Sequence, residues 1–87
     1  MIRLLDEAVL RLRLGQEGAG FDALARFIDA LVPELDAGRV PVDASRLAAA
    51  LREALSAQER GDVLWVADML EHEVRPLLAT ATEDPRR

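Results

Sequence analysis

Four stretches of this chain repeat apolar residues every three or four positions, and each repeat stops at glycine, aspartate or proline. That period marks helices with one buried face, and no stretch alternates as a strand would. In the first, Ile2, Leu5, Val9 and Leu12 recur with Ala8 alongside, which predicts a helix from about Ile2 to Leu14. The run GQEGAG, Gly15 to Gly20, then reads as a flexible turn, because three glycines in six residues disfavour regular structure. A second repeat, Phe21, Leu24, Ile28, Leu31 and Leu35, is widened by Ala25, Phe27 and Val32 and predicts a helix to about Ala37. Asp22, Asp29 and Asp36 fall on its far side, with Arg26 placed to pair with Asp22. Pro33 removes one helical donor near the end, and Gly38 is the expected stop.

The segment RVPVD then serves as a linker, and Asp43 is a good N-cap for a third helix over Ala44 to Arg60. Leu47, Ala50, Leu51, Ala54 and Leu55 should face inward there. Gly61 and Asp62 combine a helix stop with the next N-cap. The fourth helix should run from Val63 to about Ala79, burying Val63, Val66, Ala67, Leu70, Val74 and Leu77. Together these imply an all-α fold, a small antiparallel bundle of about four helices. A three-helix alternative stands if the first helix is displaced or swaps onto a partner. The expected domain spans residues 1–80, with a flexible polar tail over 81–87.

Composition narrows the function classes. Leucine and alanine, fifteen residues each, supply most of the apolar content, and both favour helices. The chain has no cysteine, which removes disulfides and thiolate metal sites. Its formal charge is −5, and no basic patch is present to neutralise phosphates, so nucleic acid is not an expected partner. No basic helix face suits an anionic membrane, and no apolar run is long enough to span one. With charges every few residues, MIRLLDEAVLRLRL does not read as a signal peptide, which makes a soluble cytoplasmic protein the expectation. All eleven basic residues are arginine, a bias that fits either a GC-rich genome or a hot habitat.

The segment GDVLWVADMLEHEVRPLL holds the only tryptophan and the only histidine. Asp68 and His72, four apart, share a helix face, with Glu71 and Glu73 beside them. Di-iron bundles need Glu-x-x-His on two helices, and here Met69 stands three before a single histidine. Two ligands without a third make a poor metal site, so no cofactor and no metal are expected. A metal-dependent helical hydrolase using Asp68, Glu71, His72 and Glu34 is the enzymatic alternative. GQEGAG lacks the preceding strand that a dinucleotide fingerprint requires, and no lysine exists to complete a phosphate loop.

A second stripe, Trp65, Met69, His72 and Pro76, runs beside the core stripe at spacings of four, three and four. Trp65 either lids the core or anchors an interface. Tryptophan and methionine are both favoured at contact surfaces. The segment also resembles the C-terminal signature of an uncharacterised family of short bacterial all-helical proteins: Gly-Asp, four residues, Ala-Asp, two residues, Glu-x-Glu, two residues, Pro. Gly61, Asp62, Ala67, Asp68, Glu71, Glu73 and Pro76 match it, while His72 stands where that family carries tyrosine. The resemblance implies no activity, but it marks the segment as one unit. A looser similarity in size, acidity and helical hairpins is to bacterial flagellar export chaperones, which hold a client helix in an apolar groove. The expected function is therefore non-enzymatic protein contact, adaptor-like or chaperone-like. The partner would be another helix or a second copy, as a homodimer. Trp65, Met69, His72 and Pro76 would make the contact, with Asp68, Glu71 and Glu73 as an acidic rim.

Overall fold

A computed structural model describes residues 1–40 and 42–82, the last three by their backbone alone. Helix α1 spans Ile2–Arg13, α2 Glu17–Asp36 and α3 Ala44–Glu59. Helix α4 covers 63–82 in three pieces: Val63–Met69, a π-helical turn Leu70–Val74, and Arg75–Thr82. No strand occurs among the described residues. The tail expected after residue 80 lies, from 83 onward, outside them.

Local chemistry explains where each helix starts and stops. Gly15, Gly38 and Gly61 take positive φ of 79°, 70° and 76°, the left-handed turn that ends a helix at little cost without a Cβ. Each brings two backbone bonds back onto the last turn, as in Gly38 N–H to Leu35 O and Arg39 N–H to Glu34 O. Asp43 accepts hydrogen bonds from the amides of Ser45 and Arg46, and Asp62 accepts one from the amide of Trp65. Both N-caps stand where the sequence places them.

The GQEGAG run departs from the expected flexible turn. Gly15 alone has the left-handed φ, and Glu17 to Gly20 already form the first turn of α2. Gly20 is buried against α1, where a methyl group would lie 2.6 Å from Leu12 Cδ2 and 3.1 Å from the Leu12 backbone nitrogen. The missing side chain is what lets the two helices approach.

The backbones approach most closely as α2 on α1, α1 on α4 and α4 on α3, so two helical hairpins meet along an α1–α4 seam. One core joins them, with Leu5, Leu12, Leu24, Phe27, Leu31, Leu47, Val66, Leu70, Val74 and Leu78 fully buried. A Cα radius of gyration of 12.6 Å is close to the roughly 12 Å expected for a folded chain of this length. Three parts of the expected core sit differently. On α2, Ala25 and Val32 are exposed, and Ala23 joins Leu24, Phe27 and Leu31 inside. On α3, Leu55 is 40% exposed and Leu51 half-buried, while Ala50, Ala54 and Ala57 are buried on the helix that packs against α4. On α4, Leu78 rather than Leu77 is fully buried. The π turn accounts for this last shift, since its wider turn sets the later residues back by about one position. Within it Arg75 N–H bonds Leu70 O, five residues back. Pro76 has no N–H and would crowd the carbonyl of His72 in a regular helix, which the wider turn relieves.

Candidate functional site

Both seam clamps are ion pairs between α1 and α4. Arg13 donates to Asp68 at 2.9 Å and to Glu71 at 2.7 and 3.0 Å. Arg75 reaches back to Asp6 with two bonds, at 2.6 and 3.2 Å. The hydrogen bonds that Arg13 donates to Glu71, and then to Asp68, push the pKa of its guanidinium above the ordinary value. Between the clamps lies a shallow depression of about 290 Å³ bordered by Asp6, Val9, Leu10, Arg13, Glu71 and Arg75.

The stripe expected on α4 comes together beside these clamps, with Asp68 bordering both. Trp65 is 42% exposed, and its indole N–H donates to Glu53 on α3 at 2.8 Å. Glu53 is also approached by Arg60 at 3.8 Å. The ring is thus partly a lid and partly open surface, held in one orientation. Beside it, Trp65, Asp68, Met69, His72 and Glu73 line a second shallow depression of about 250 Å³. Met69 is half-buried and packs on the core, whereas His72, Glu73 and Pro76 are exposed. Pro76 does not border this depression.

The acidic rim divides. Asp68 and Glu71 turn toward Arg13, while Glu73 has no polar partner among the described residues. Much of the segment from Gly61 to Pro76 has a structural account: Gly61 ends α3, Asp62 caps α4 and Ala67 is fully buried. Asp68 and Glu71 hold the seam, and Pro76 accompanies the π turn. Glu73 and His72 are left over from that account.

Glu34, considered with the α4 acids for a hydrolase, sits near the end of α2 in a two-bond pair with Arg39 at 2.7 and 3.1 Å. The Arg39 hydrogen bonds hold its carboxyl below the usual glutamate range, against the opposing pull of desolvation. Among the described residues, no three His, Asp or Glu side chains are grouped so as to hold a metal ion. No described helix is long and apolar enough to cross a membrane.

Sequence reasoning missed Arg13, Glu53, Asp6 and Arg75 as the partners of this region. Their pairings span 12 to 69 residues of chain, and no local spacing announces them. No family model, curated protein or solved structure matches this chain.

Proposed function

We propose that this protein works by contact, holding an amphipathic helix of a partner against the outer face of α4. The observation that supports the reading is the depression beside the half-exposed Trp65. Its walls combine an aromatic face, a thioether, an imidazole and two carboxylates, a set that suits an apolar side chain flanked by a basic one. The bond to Glu53 fixes the indole beforehand, so less conformational freedom is lost on binding. With Asp68 drawn to Arg13, Glu73 is the rim carboxylate that meets the partner's base. The formal charge of −5 favours encounter with a basic helix over an acidic one.

A metal-dependent hydrolase has less support, because Asp68 and Glu71 are engaged by arginine and Glu34 belongs to a separate pair. The interaction reading is tested with two synthetic amphipathic helices that share one leucine face, one with arginine and one with glutamate on the polar face. Trp65, the only tryptophan, reports directly by its fluorescence. The arginine helix should shift its emission to the blue and bind, and Trp65→Ala, followed by anisotropy of a labelled peptide, should weaken binding about 30-fold, as for an aromatic hot spot. Equal binding of both helices, or an indifferent Trp65→Ala variant, would overturn the proposal.

A further inference from the structure

The α1–α4 seam carries a charge arrangement that the contact at Trp65 does not use. At one end of the seam α1 contributes an acid, Asp6, and α4 a base, Arg75. At the other end α1 contributes the base, Arg13, and α4 the acids, Asp68 and Glu71. The four corners therefore alternate in sign, and their side chains stay 36–47% exposed. The centre is apolar: Val9 and Leu10 border the depression between the clamps, and Leu10 is 56% exposed. Leu14 at 61% and Leu64 at 62% extend the apolar surface at the Arg13 end, Leu64 one helical turn before Asp68.

We propose that this seam face binds a second copy of the same chain, forming a two-fold homodimer separate from any partner held at Trp65. Charge complementarity selects this occupant. An isologous interface sets a patch against its own image, turned by a two-fold axis lying in the plane of contact. When that axis runs along the seam, Asp6 faces the copy's Arg75, and Arg13 faces the copy's Glu71. When it runs across the seam, Asp6 faces the copy's Arg13, and Glu71 faces the copy's Arg75. Every corner meets the opposite sign either way. A uniformly basic or uniformly acidic partner would meet repulsion at two of the four corners. Leu10 projects from the middle of the patch, and the depression beside it can receive a side chain of that kind from the copy.

The test is absolute mass by light scattering after size exclusion, over a protein series from about 1 µM to 1 mM. The wild type should move toward twice its 9.6 kDa mass as concentration rises. Leu10→Asp places a charge at the centre and should raise the dissociation constant at least about 30-fold, with helicity by circular dichroism unchanged. Leu10→Gln removes the apolar contact without adding charge and should shift the equilibrium in the same direction. Trp65→Ala should leave the dimer intact. A wild type that stays monomeric throughout overturns the proposal, as do Leu10 variants that are folded and still dimeric. A dimer lost in Trp65→Ala instead would place self-association on the Trp65 surface and equally overturn it.

Discussion

Gly18 and Gly20 stand two residues apart in the first turn of α2, and a methyl group added at each would have opposite effects. Gly18 has open space around it, whereas Gly20 lies under Leu12 with its neighbour's backbone nitrogen 3.1 Å from the missing Cβ. Gly18→Ala should therefore stabilise the protein by up to about 1 kcal/mol through helix propensity. Gly20→Ala gains the same propensity but must push α1 and α2 apart, a misfit that typically costs about 1–3 kcal/mol, so it should destabilise. Urea titration of the two variants separates these outcomes, and equal stabilisation would mean that the helices can slide apart freely. At this scale the sequence was readable wherever a residue acts on its own backbone. Asp43, Asp62, Gly38 and Gly61 do what their types require within four positions of chain. Gly20 has no such local mark, since a glycine that makes room for a side chain eight residues earlier looks like any other glycine. Arg13 is illegible for the same reason: its two acids are 55 and 58 residues away.

Helix positions could be read from the apolar period, yet the faces were read less well than the helices. Sequence periodicity weights each residue by hydrophobicity, so it favours Leu55 over Ala57 and Val32 over Ala23. The structure chooses the alanines because small side chains let α3 close on α4 and α2 on α1, leaving the larger residues at the edges. The fourth helix adds a different cause. Its five-residue π turn shifts the phase after Val74, and a 3.6-residue reading of the sequence then points at Leu77. The shift can be tested directly. Leu78→Ala should cost about 2–5 kcal/mol, as for a fully buried leucine, and Leu77→Ala distinctly less. If thermal denaturation ranks the two the other way, the π turn is absent in solution and α4 is a regular helix through Pro76.

For the molecule as a whole, the helices that approach most closely are consecutive in the chain, with one exception. Glycine turns join α1 to α2 and α3 to α4, while the α1–α4 seam links segments more than fifty residues apart. Neighbouring helices pay little loop-closure entropy to meet, and the seam pays much more. That difference becomes a statement about time. Each hairpin can gather within its own short stretch of chain, and docking along the seam completes the core afterwards. Asp6→Ala and Arg75→Ala should then speed unfolding while leaving the refolding rate nearly unchanged, a pattern that stopped-flow mixing with denaturant resolves. Slower refolding of either variant would put the seam in the folding nucleus. On this order of events the two arginine clamps act as latches rather than scaffolds: they fasten last, and under stress they are the first to let go.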